Sequence, residues 1–160
     1  MLALRSSALC LLLAGVTCAL AGCDTRPSEA GRLRTDIEPF LDEHARFDAW
    51  ARRLDLAESA FRSREALVEA AFAPLRERPR VVAAWLIREG PGATELRYPP
   101  GGPSLPDDGW VRVVLPDHPL DEVQAQRCSL HVGDEDRPLV LVRRTRPATG
   151  GAMLSVTTAY

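Results

Sequence analysis

The chain contains no lysine and no asparagine, so all 20 of its basic residues are arginine. This bias matches codon usage in a GC-rich genome and carries no functional signal. The 20 basic residues face 22 acidic ones, for a formal net charge of −2, and no basic face is evident. That removes any broad electrostatic case for nucleic acid as a partner. Catalytic signatures are missing too. The sequence has no Gly-x-Ser-x-Gly elbow, no phosphate-binding glycine loop and no His-Glu-x-x-His pair. Histidine is sparse, at His44, His118 and His131. A zinc site needs three or four converging ligands. The one dense cluster, Asp117, His118, Asp121 and Glu122, reads instead as a helix start with acidic residues in its first turn. No catalytic residue, metal or cofactor is expected, and the chain reads as a non-enzyme. There is no internal repeat.

What is present begins at the N-terminus. Arg5 precedes an apolar run from Ala8 to Leu20, which ends in Leu20-Ala21-Gly22-Cys23. A charged start, roughly a dozen apolar residues and a small-residue site make a secretory signal, too short to span a membrane. Residues 1–24 resemble a bacterial lipoprotein signal. The resemblance implies cleavage after Gly22. Cys23 then becomes the new N-terminus, carrying a diacylglyceryl thioether and an amide-linked acyl chain such as palmitate. One acyl chain anchors only marginally, whereas two or more hold stably. The implied address is the bacterial cell envelope, with the domain lipid-anchored and facing the periplasm. Asp24 would favour the inner membrane in enteric bacteria, but that rule differs between lineages, so inner and outer membrane both stay open.

The domain plan follows: a signal over 1–22, the lipidated cysteine and a flexible tether over 23–33, and one domain over 34–160. Removing 22 residues from 160 leaves 138, enough chain for a real core. Cys10 and Cys18 leave with the signal and lipid takes Cys23, so Cys128 alone remains and no intramolecular disulfide can form. Cys128 sits in a strand-like segment with Leu130 and Val132 on its face. It reads as a small buried hydrophobe, with an intermolecular disulfide as the alternative. His131, three residues on, points to the other face and cannot serve it as a base.

Phe40, Phe47, Leu54, Phe61, Val68 and Leu75 recur every seven residues. On a helix turning about 100° per residue they share one arc with Trp50 and Phe72. Thr35 and Glu38 are spaced as a capping box, and Pro39 suits a first turn. One long amphipathic helix is expected over about 36–77, with a break between Leu56 and Ser63. A second row, Leu56, Ala60, Leu67 and Ala71, lies on the other side and offers a surface for another protein or a second copy (a homodimer). Glu65 falls in the main stripe, which implies that the helix rotates there or that the carboxylate pairs with Arg62 or Arg64, with the rotation favoured. Strands are expected near Val81–Arg88, Glu95–Tyr98, Trp110–Leu115, Arg127–Val132, Leu139–Arg144 and Met153–Thr158, with a short helix from Pro119 to Gln126. Pro99–Gly109, with four Pro and three Gly, reads as a long loop. The fold class is therefore α+β: one long N-terminal helix packed on a mainly antiparallel sheet of about five to six strands, covering about 80–158.

The segment from Pro79 to Gly90, with Glu95–Pro99, resembles the first hairpin of extracytoplasmic PAS-like sensory domains of the Cache type. The resemblance implies a small-ligand or partner-binding domain, although none of that family's ligand residues carries over. Trp85, Tyr98 and Trp110 flank the first turns and the long loop, and are the candidate lining of a ligand pocket. Arg137, Arg143, Arg144 and Arg146 form the densest cationic run, but Arg143 and Arg144 alternate across the strand and make no single patch. The expected function is a non-enzymatic, membrane-anchored envelope lipoprotein that binds a small ligand or an envelope protein. The alternative is an assembly factor or structural subunit of an envelope complex.

Overall fold

The computed structural model describes residues 28–54 and 63–160. The signal segment, Cys23, Leu56, Ala60 and Phe61 lie outside the described residues. Within them the chain is α+β, with a 26-residue helix N-terminal to a six-stranded antiparallel sheet.

The helix starts earlier than the sequence pattern implied. Ser28 is its N-cap, and its hydroxyl accepts from the Gly31 N–H at 3.1 Å. Residues 29–33, expected to be tether, are therefore helical, because Leu33 has a core site to fill. The Thr35 hydroxyl donates to the Gly31 carbonyl inside the helix rather than capping it. The axis runs as α1 (Glu29–Ile37), a 3₁₀ turn (Glu38–Phe40) and α2 (Leu41–Leu54). The turn tightens at Pro39, which has no N–H to continue the ladder. Ser63 caps α3 (Arg64–Phe72), accepting from the Ala66 N–H at 3.2 Å, and a further 3₁₀ turn ends at Leu75.

The strands are β1 (Ala83–Glu89), β2 (Thr94–Tyr98), β3 (Val111–Leu115), β4 (Asp121–Val132), β5 (Glu135–Pro147) and β6 (Met153–Ala159). Their order is β2-β1-β6-β5-β4-β3, so β2 and β3 are the edges. The expected helix over Pro119–Gln126 is strand instead. Pro119 lies in the tight β3–β4 turn, closed by the His118 N–H on the Leu115 carbonyl at 3.1 Å. Val123 and Ala125 alternate inward opposite Val113 and Val111. A proline fits a turn as well as a first helical position, and the cross-strand pairs decide between them.

Both faces of the sheet are covered. The helices take one: α1 crosses β3, β4 and β5, α2 lies on β6, and α3 lies by β2. The buried helix line is Leu33, Ile37, Leu41, His44, Asp48 and Ala51, steps of three and four that follow a helical face, with Phe47 buried beside Asp48. Phe40, Trp50 and Leu54 are only half-buried on its flank. The opposite face carries a second cluster of Ala83, Trp85, Leu130, Leu139, Leu141 and Ala159. Leu105 and Trp110, at and just beyond the Pro/Gly-rich loop, pack on that cluster. Gly109 is required there: its φ is +80°, and a Cβ would come within 2.8 Å of the Gln126 side-chain oxygen.

Candidate functional site

The three aromatics proposed as a pocket lining do not converge. Trp85 stands beside Arg97 and Thr157 in one cross-strand row on the loop-covered face. It is 1% exposed, and its Nε1–H donates to the Pro103 carbonyl at 2.9 Å. Trp110 donates to the Pro106 carbonyl at 3.1 Å, and the Arg143 guanidinium lies 3.9 Å from its ring centroid. Burial holds the Arg143 pKa below its usual value. The loop is thus strapped down by indole hydrogen bonds to Pro103 and Pro106.

Tyr98 pairs with Ala84 and points to the helix face, its ring centroid 5.7 Å from that of Phe72. There it floors a groove of about 430 Å³, lined on the α3 side by Arg64, Glu65, Val68, Glu69, Phe72 and Arg76 and closed by Pro100. A second hollow of about 330 Å³ continues along β2 past Glu95, Leu96 and Arg97 and shares Arg64, Val68 and Pro100 with the first. The groove has an apolar floor and a charged rim. Arg76 pairs with Glu69 at 3.0 Å and Arg97 with Glu95 at 2.6 Å, while Arg64 donates to the Glu95 backbone carbonyl at 2.7 Å. Glu65 is exposed on the rim. Its carboxyl is held below the usual range by backbone and Ser63 hydrogen bonds in the first helical turn.

The candidate partner row fares differently. Leu67 and Ala71 are buried in the protein's own core, between α2 and the sheet, so they present no outward surface. Ser63 is an extended N-cap that opens α3 afresh, and Glu65 in its first turn faces outward. Leu67 and Ala71 instead help line a small apolar cavity of about 40 Å³ with Ala51, Leu54, Leu86, Leu96 and Leu154. Trp50 ties α2 to α3 by donating to the Ala71 carbonyl at 3.2 Å.

Sequence reasoning passed over the polar residues beneath α2. His44 is fully buried and its Nδ1 lies 2.8 Å from the Thr158 hydroxyl. Burial first, and the nearby His118 second, lower its pKa to about 3, so it is a neutral imidazole. Asp48, 1% exposed, holds Arg52 at 2.8 Å and Arg144 at 3.4 Å on one oxygen. Burial raises its pKa, and Arg52 and Arg146 pull it back. The signal that could have found these residues is their place on the helical line Leu41–His44–Asp48–Ala51.

His118 sits in the β3–β4 turn, 3.4 Å from Asp42, and its Nδ1 accepts the Leu120 N–H. Among the described residues no group of three or more His, Cys, Asp or Glu is placed to hold a metal. Cys128 is half-buried with Leu130 and Val132 on the loop-covered face, and burial pushes its thiol pKa up. His131 pairs with Asp136 at 3.1 Å at the hairpin tip. Among the described residues no helix is long and apolar enough to cross a membrane. No protein-family model, curated protein or solved structure matches this chain.

Proposed function

We propose that the chain is a non-enzymatic bacterial envelope lipoprotein, anchored through lipid on Cys23 and facing the periplasm, whose domain binds a small ligand or an envelope protein. The signal resemblance supports the address. The observation that carries the binding role is the groove between α3 and β2, with Phe72 and Tyr98 as floor and paired charges on its rim. Apolar floors with a few placed polar groups are the usual form of binding sites. The neighbouring strand β2 is a sheet edge, which suits an extended partner as well as a small molecule. The reading as an assembly factor or structural subunit has one observation in its favour. The β4–β5 hairpin continues past the sheet, with Ser129–Val132 paired only to Glu135–Pro138.

A photo-crosslinking residue at Val68, inside the groove, tests the binding role in the membrane-anchored chain. The expected result is a discrete adduct from Val68 and none from the exposed Val114 on β3. Equal labelling from both positions, or none from either, overturns it. An adduct confined to a probe at His131 would favour the hairpin and the assembly role. Metabolic labelling with a clickable fatty acid tests the address: a Cys23→Ser protein that still takes up label would refute the anchor.

A further inference from the structure

We propose that the hollow closed by the β5–β6 connection over Asp48 is a binding site for a dianionic phosphate group. It encloses about 270 Å³ and is lined by Asp48 and Arg52 of α2, Arg146 and Pro147 of β5, Thr149 of the following turn and Leu154 of β6. Arg144 holds Asp48 from the strand below, two residues before Arg146 and on the same face of β5. The Asp48 Oδ2 takes Arg52 at 2.8 Å and Arg144 at 3.4 Å, so one oxygen serves two guanidiniums. Arg146 adds its charge to the same carboxylate and has no hydrogen bond to any described residue. Arg52 and Arg146 line the hollow with Asp48, and the buried Arg144, which does not line it, adds a third guanidinium behind that carboxylate, a local surplus of two positive charges. The Arg144 side chain is only 8% exposed, so water screens its charge poorly.

A guanidinium fork matches the oxygens of phosphate, and a dianion cancels the surplus where a single carboxylate leaves half of it. The buried Asp48 carboxylate fixes the two arginines it touches, so little side-chain freedom is lost when an anion arrives. The phosphate could come from a free phosphomonoester or from a phosphomonoester lipid headgroup at the membrane surface. Both present the same chemistry. The site shares no residue with the α3–β2 groove, so its failure and that of the groove are separate results.

The test uses the full chain in neutral detergent at constant ionic strength. One arm titrates inorganic phosphate against chloride. The other adds phosphatidic acid to the micelles, with phosphatidylcholine as control. The expected result is a saturable rise in melting temperature in at least one arm. Arg146→Gln should weaken it about 10- to 100-fold, the worth of a charged hydrogen bond, measured against that variant's own melting temperature in phosphate-free buffer. A response to phosphatidic acid alone supports the site with a headgroup as its source. If Arg146→Gln does not fold, Arg52→Gln replaces it, with the same weakening expected relative to that variant's own phosphate-free melting temperature. No saturable response in either arm, or one equal in the variant and the parent chain, overturns the proposal.

Discussion

The buried His44 imposes a pH dependence on stability that can be worked out from its surroundings. In the unfolded chain its imidazole titrates near 6.5; in the folded protein burial lowers that to about 3. The folded state therefore refuses a proton that the unfolded state accepts. The stabilisation is complete above pH 6.5 and is lost progressively as pH falls toward 3. One proton contributes about 1.4 kcal/mol per pH unit in that window, so roughly 2–3 kcal/mol is gone by pH 4.5 and about 5 kcal/mol by pH 3. Against a typical total of about 5–15 kcal/mol this is a large share. Asp48 works in the opposite direction. Its folded pKa is raised by burial, so the folded state takes that proton first, and stability is regained as pH falls below the raised value.

The two contributions separate by comparing the parent chain with His44→Gln, which keeps a polar atom for Thr158 and cannot titrate. Urea unfolding between about pH 7.5 and 4.5 measures both profiles. The parent should lose about 2–3 kcal/mol more than the variant across that range. Profiles that stay parallel would refute the reasoning, as would an NMR titration of the folded protein in which the His44 ring protonates near 6.5.

The remaining predictions concern packing and caps. Phe72→Ala empties a site between Phe47 and Tyr98, with centroids 6.0 and 5.7 Å away, and should cost about 3–5 kcal/mol in chemical unfolding; a loss under about 1 kcal/mol would contradict the packing. Trp85→Phe removes the bond to the Pro103 carbonyl and leaves a small cavity where the second ring of the indole stood, so it should cost about 1–3 kcal/mol and speed amide exchange in residues 99–110. Asp48→Ala leaves Arg144 buried without its carboxylate and should cost about 3–5 kcal/mol, read from urea midpoints; indifference would mean that Arg144 reaches water. Ser28→Ala should lower stability by about 0.5–2 kcal/mol and fray α1 by circular dichroism, whereas unchanged helicity would place the cap elsewhere.

Period and turn chemistry made most of the architecture legible. The apolar stretches 83–89, 111–115 and 153–159 are strands, and a new helix opens at Ser63, two residues before Glu65; the expected break between Leu56 and Ser63 lies outside the described residues. Two features were not legible, each for a physical reason. The core line of α2 includes His44 and Asp48, so a search for apolar residues centred the stripe on Phe40, Phe47 and Leu54, one flank away from its true centre. The outward placement of Leu67 and Ala71 failed because they were projected from a straight helix, and a new cap at Ser63 resets the phase. In the candidate site, Tyr98 was found from sequence but its neighbours were not. Adjacent strand residues face opposite ways, so the register of β1 with β2 puts Tyr98 beside Ala84 and Trp85 beside Arg97, on different faces. The Asp48–Arg144 pair was out of reach for another reason: its partners are 96 positions apart.

The polar contacts under α2 also account for how the helix is placed on the sheet. His44 and Asp48 are four residues apart, about 6 Å along a helix. Their partners stand in neighbouring cross-strand rows: Thr158 pairs with Val142, and Arg144 pairs with Val156. From Val142 to Arg144 is two strand residues, again between 6 and 7 Å. The two steps agree only if α2 runs along β5 in the same sense, with each polar group seated on its own row. Sliding the helix by one turn would keep much of the apolar contact, since Leu41, Phe47 and Ala51 tolerate several neighbours. It would also put the neutral imidazole beside the Arg144 guanidinium and take the Asp48 carboxylate away from it, leaving Arg144 buried without an anion. Burying an unpaired charge costs more than a sliding apolar contact can recover. These two residues therefore contribute register, and the apolar residues around them contribute stability. That register brings Arg52 and Arg146 to the mouth of one hollow.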